Sequence, residues 1–224
     1  MLQFDWNGQF PKKRNWYLIN HKPRYEWVLF LDADEVVTPD FVRELETAIA
    51  STNAVGFWLR YTNYFQGHPL RHGVPQRKLA LLRHGAGLYE RIDEARWSDL
   101  DMEVHEHPQL NGEIGEVRAA IDHRDLNGLA RFIRKHLDYA QWEVGRLSRL
   151  RGDEEAWNAL TQRQRFKYSS LLNWWFAPLY FILTFVVSRG FLDGWAGYRY
   201  AKMKYWYFAT VRHLALEAQQ RASA

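Results

Sequence analysis

The chain has 224 residues, with 30 Lys and Arg against 26 Asp and Glu, for a formal net charge of +4. A hydrophobic share of 47% with 25% charged residues excludes an intrinsically disordered chain, and the length suffices for one large domain or a domain with an appendage. With no cysteine, a disulfide scaffold, a thiolate zinc site and a cysteine nucleophile are all excluded.

In chain order, residues 11–22 read as a helix with Pro11 at an early position. Residues 27–31 (WVLFL) form a short continuous apolar run, as expected of a strand buried on both faces of a parallel sheet. Asp32-Ala33-Asp34-Glu35 follows. Thr38-Pro39 has the pattern of an N-cap followed by proline at the first helical position, opening a helix over 40–50 with an apolar face of Phe41, Val42, Leu45, Ala48 and Ile49. Residues 54–65 are β-branched and aromatic and read as a strand, as do 76–82 and 112–122. The period turns helical over 127–150, and the rest of the chain from Glu154 is helical. The order predicts an α/β domain over 1–125 followed by an all-helical region over 126–224.

Charge divides at the same place. Residues 1–125 carry 15 basic and 19 acidic side chains, a net of −4, while residues 126–224 carry 15 and 7, a net of +8. An acidic half can hold a cation, and a basic half rich in rings can lie on an anionic surface. Aromatic residues make up 16% of the chain. The longest uncharged stretch, 169–188 (SSLLNWWFAPLYFILTFVVS), reaches the minimum length of a membrane span. Its Asn173, its hydroxyl residues and the central Pro178 favour helices that lie in or dip into the membrane interface, with a full span as the alternative. Basic residues are mixed with this uncharged run rather than gathered on one stripe, which argues against nucleic acid as a partner.

Three clusters carry chemistry. Asp32-x-Asp34 sits at the carboxyl end of an apolar strand, where open α/β sheets bind ligands. In a strand, residues i and i+2 point the same way, so both carboxylates can face one Mg²⁺ or Mn²⁺. If the chain turns there instead, one binds the cation directly and the other acts through water or a ribose. In Glu103-Val104-His105-Glu106-His107 a carboxylate can serve as general base with an imidazole beside it. His123 closes a predicted strand and can contact a metal or a phosphate. Arg77, Lys78 and Arg83 are cations that can reach a diphosphate. Trp58, Tyr61 and Tyr64 can stack on a sugar ring, or pack in the core.

Together these residues resemble a known family. The run YEWVLFLDADEVVTPDFVRELE is similar to the metal-binding DxD region of family 2 glycosyltransferases with the GT-A fold. RKLALLRH, EVHEHP, GEIGEVRAAIDHRDLNGLARFIRKHLDYAQWE and GFLDGWAGYRYAKMKYWYF resemble the branch related to lipopolysaccharide-core glucosyltransferases. The resemblance implies a GT-A-like (Rossmann-like) sheet domain, followed by membrane-associating helices. It also implies inverting transfer from a nucleotide-sugar donor to a lipid-linked or lipopolysaccharide-type acceptor, assisted by Mg²⁺ or Mn²⁺, at the cytoplasmic face of the inner membrane. By the same resemblance, Asp32 and Asp34 bind the cation with His123 near it, Arg77 and Arg83 reach the diphosphate, Glu106 is the general base and His105 its neighbour or an acceptor contact. The Pro-x-x-Asn-Glu type signature and the nucleotide-binding strands that open family members have no counterpart ahead of Trp27. The domain is therefore expected to be a partial one. A non-catalytic membrane-interface protein and a metal-dependent phosphoesterase are the alternative readings of the same residues.

Overall fold

Two apolar patterns dominate the first half of the chain, and both become strands and helices of a mixed sheet domain. The computed structural model describes residues 2–5, 7, 10–91 and 107–223. The described residues fall into two compact units. The first contains α1 (Lys13–Asn20), β1 (Trp27–Leu29), β2 (Glu35–Val36), α2 (Pro39–Ala50), β3 (Gly56–Phe65), β5 (Gln76–Arg83), β6 (Gly87–Tyr89), β7 (Pro108–Leu110) and β8 (Ile114–His123). Its main sheet runs β1-β5-β3-β8-β2, and β6 pairs with β7 in a separate ladder.

The strand expected over 27–31 is real but differs in kind. β1 is short and lies at one end of the sheet order, antiparallel to β5. Its apolar run reflects cover on both faces rather than parallel pairing. Val28 packs with Leu18, Leu82 and Tyr89 on one side, while Trp27 and Leu29 join the core of Phe41, Leu59, Leu81 and Ile121 on the other. The parallel pair is β3 with β8.

The N-cap pattern is realised in full. Thr38 Oγ1 accepts from the Phe41 amide at 3.1 Å and donates to the Ala120 carbonyl at 3.1 Å, so the cap of α2 also ties it to β8. A bulge interrupts β8 where Val117 pairs with Leu59 and Ala120 with Arg60. The two amides left over, Arg118 and Ala119, donate to the Glu44 carboxylate at 2.8 and 2.7 Å.

The second unit comprises residues 65–74 and the described residues from Leu126 onwards. The division at 125 thus recurs, but the segment after β3 belongs with the helices. The physical reason is a set of contacts within that unit: Phe65 stacks edge-on with Phe132 and Tyr200, Gln66 accepts from Arg199, and the Gly73 amide donates to Ser188. This unit holds β4 (His68–Leu70), α3 (Gly128–Gly152), α4 (Glu154–Asn158), α5 (Gln162–Ser170), α6 (Phe176–Ile182), a π-helical turn (Leu183–Val187), a 3₁₀ turn (Gly190–Asp193) and α7 (Gly194–Ser223). Leu147, Leu171, Phe176, Phe208 and Val211 are among its buried core. Among the described residues no single helix is long and apolar enough to cross a membrane, whereas Phe176–Val187 and Gly190–Arg221 form a pair bent by 72°.

Candidate functional site

Residues 32–35 are a tight turn, not a strand. The Glu35 amide donates to the Asp32 carbonyl at 3.0 Å, and the Asp32 amide donates back to Glu35 Oε2 at 3.1 Å. The i, i+2 argument therefore does not apply, and the two aspartates acquire different partners. Asp32 Oδ2 accepts from Lys78 Nζ at 2.9 Å, and its Oδ1 lies 3.4 Å from the Arg14 guanidinium. Lys78 also donates to Glu35 Oε1 at 2.5 Å. Glu35, absent from the expected site, has a side chain only 1% exposed.

Burial alone would raise the Asp32 carboxyl, but the Lys78 ammonium, with Arg14 and His123, outweighs it and holds it below the ordinary aspartate value. Burial likewise works against the Lys78 ammonium, yet its bonds to Glu35 and Asp32 carry it above the ordinary lysine value. Lys78 Nζ also stands 4.9 Å from the centre of the Tyr61 ring. Tyr61 belongs to the core rather than to an open stacking platform. Its phenol is pushed up, first by burial and then by the charges of Glu35 and Asp32.

Asp34 turns the other way. Its Oδ2 faces His123 Nε2 at 3.3 Å. The opposite ring nitrogen, Nδ1, lies 2.8 Å from Asn63 Oδ1. Register explains the contact: Asn63 on β3 pairs with His123 on β8, and β2 pairs Glu35 with His123 on the other side. With Asn63 Oδ1 as acceptor, Nδ1 carries the hydrogen. With Nε2 unprotonated, its lone pair and the Asp34 carboxylate oxygen face each other, an arrangement that a cation or a proton between them satisfies. Octahedral ligands at about 2.1 Å from Mg²⁺ stand roughly 3 Å apart along an edge, so a 3.3 Å pair fits two neighbouring positions of one ion. Among the described residues no group of three or more Asp, Glu and His can hold a metal by itself. An ion here needs further oxygens from its ligand.

The other expected residues are placed differently. Arg77 pairs across from Arg60 and lies 5.1 Å from the centre of the Trp58 ring. Arg83 lies 5.0 Å from the Trp27 ring centre, donates to the Thr52 carbonyl at 3.3 Å and stands 3.6 Å from Glu26. Of the three cations of this strand, the one that reaches the acidic turn is Lys78. Tyr64 Oη donates to Asp122 at 3.2 Å. His105 and Glu106 lie outside the described residues.

Comparison of the chain with protein-family models, curated proteins and solved structures finds no match.

Proposed function

We propose that the sheet unit binds the diphosphate of a nucleotide sugar together with a divalent cation, and that the chain is a glycosyltransferase of the family 2, GT-A type. The observation that carries this reading is the facing pair of Asp34 Oδ2, in the turn just before β2, and His123 Nε2, at the end of β8, a two-residue N/O donor set that lacks only ligand oxygens. A cation held there supplies positive charge against the departing diphosphate. The mixed imidazole and carboxylate donors suit Mn²⁺ better than Mg²⁺.

The chain's own residues divide the remaining work. Asn63 fixes the His123 tautomer so that Nε2 stays available. Lys78 and Arg14 offset the charge of Asp32 and Glu35, so that a turn with three carboxylates does not repel a diphosphate. The proposed base, Glu106, takes the proton of the acceptor hydroxyl as that oxygen attacks the anomeric carbon and the bond to the diphosphate breaks, with inversion. The acceptor is a lipid-linked or lipopolysaccharide-type saccharide, met at the cytoplasmic face of the membrane. The sheet unit then binds the cation and the donor, and the helical unit meets the membrane.

Calorimetry of UDP-sugars with and without Mn²⁺ tests this directly. Binding that requires Mn²⁺ and disappears in Asp34→Ala is the expected result. Nucleotide-independent turnover of simple phosphate esters would favour a phosphoesterase, and vesicle binding without any Mn²⁺-dependent nucleotide binding would favour a non-catalytic interface protein.

A further inference from the structure

The bend between the π-helical turn and α7 leaves large apolar side chains in solvent. Ile182, Val186, Val187, Phe191, Leu192 and Trp195 are 48%, 54%, 65%, 48%, 54% and 64% exposed. Scattered single residues of this kind are ordinary, but six within one bent segment are not. We propose that this bend is a wedge that enters one leaflet of an anionic phospholipid bilayer without crossing it. The proposal rests on the membrane-side part of the function above and not on its chemistry.

Length sets the depth. Phe176–Val187 spans about 18 Å as a helix, against a hydrocarbon core of about 30 Å. Its first part is already committed to the protein core: Phe176 and Ala177 are buried, and Tyr180 stacks 4.3 Å from Phe208. Only the distal part is left to meet lipid.

The backbone of the bend is prepared for an apolar medium, where unpaired amides and carbonyls are costly. The Ser188 amide donates to Leu183 at 2.8 Å, Arg189 to Val186 at 3.1 Å and Leu192 to Arg189 at 2.9 Å, and the Ser188 carbonyl accepts from Gly73 at 2.8 Å. Charge is arranged to match. Residues 162–213 contain eight Lys and Arg and one acid, Asp193. The Asp193 side chain is 6% exposed and engaged by the Arg71 and His72 amides and by His72 Nδ1. Of the cations, Lys167 is ion-paired with Glu143, whereas Arg189, Arg199 and Lys202 are exposed. Along α7 the order is Trp195, stacked on Tyr198, then Arg199 over Trp195 and Lys202 over Tyr198. That grouping of apolar side chains, ring pair and cations suits a membrane interface, with the Arg199 and Lys202 charges held 5.3 and 5.5 Å from the centres of the Trp195 and Tyr198 rings.

Because the chain has no cysteine, single labels report depth cleanly. An NBD dye is attached to Val187→Cys, Phe191→Cys and, as a control, Glu217→Cys, about 33 Å along α7 from Trp195. Each full-length protein is titrated with vesicles of 70:30 phosphatidylcholine and phosphatidylglycerol, and with phosphatidylcholine alone, without nucleotide or metal. The labels at 187 and 191 should brighten and shift to the blue, and that at 217 should not. Val187→Asp with Phe191→Asp should reduce partitioning at least tenfold while circular dichroism stays unchanged. Arg199→Gln should reduce it about fivefold on the anionic vesicles alone. Dyes at 187 and 191 that stay in water, a label at 187 quenched from the vesicle lumen, or a lipid-free dimer abolished by the Asp pair with no vesicle binding would each overturn the proposal.

Discussion

Replacing Lys78 with methionine should invert the response of the sheet unit to acid. In the native protein the ammonium sits between Asp32 and Glu35 at 2.9 and 2.5 Å, and the Glu35 side chain is 1% exposed. Lys78→Met leaves two carboxylates facing each other, one of them buried, with the Arg14 guanidinium at 3.4 Å from Asp32. Breaking a fully buried pair costs about 3–5 kcal/mol, and with Lys78 itself 37% exposed a loss of about 2 kcal/mol at pH 7 is expected. For a chain of this size that corresponds to a fall of roughly 4–8 °C in Tm. The pH dependence separates this cause from lost packing. In the native protein the Asp32 carboxyl lies below its ordinary value of 3.8, so its contribution is present above that pH and is lost as the pH falls through the lowered value. The Lys78 amine lies above 10.5, so its contribution is present below that pH and is lost only in stronger alkali. In Lys78→Met, protonating one carboxylate relieves the uncompensated charge, so the deficit relative to native should shrink between pH 7 and pH 4. Thermal unfolding of both proteins across that range measures it. A deficit under 0.5 kcal/mol at pH 7, or one that stays constant to pH 4, would refute the ion-triad explanation.

Two other changes probe the frame around the site, and a third probes the packing of α7 in the helical unit. Glu44→Ala strips the acceptor from the Arg118 and Ala119 amides of the β8 bulge and should cost about 2 kcal/mol, with Glu44→Gln recovering part of it, as read by urea unfolding. Thr38→Ala should cost about 1 kcal/mol through the lost cap of α2, and Thr38→Ser should restore most of it. Gly197→Ala, which in an open helix would stabilise, should instead lower Tm, because the added Cβ meets the Gly190 carbonyl oxygen at 1.9 Å.

The long elements were legible because their patterns are long. β3, β5, β8, α2 and α3 each carry eight or more residues of consistent period and lie within two residues of their expected ends. β2, β4, β6 and β7 have only two or three residues each, too few for a period to show. At the site, Asp34 and His123 could be singled out by type and position, but not their partners. Asn63 meets His123 through the parallel register of β3 and β8, a long-range choice that no local pattern encodes. The segment QRKLALLR offers cations at adjacent positions, and which one faces the acidic turn follows from strand register alone. It selects Lys78 and sends Arg77 to Trp58. The strand at 27–31 shows the same limit, since burial on both faces produces one apolar run whether the neighbour is parallel or antiparallel.

Electron paramagnetic resonance of free Mn²⁺, titrated with the protein in the presence and absence of UDP, reads the Asp34–His123 pair without needing an acceptor or turnover. Two protein donors plus diphosphate oxygens should give Mn²⁺ uptake that UDP strengthens at least tenfold, and Asp34→Asn or His123→Ala should remove that UDP-dependent gain. Uptake indifferent to UDP, or a UDP-dependent gain that survives both substitutions, would show that the pair is a structural contact and not a cation site.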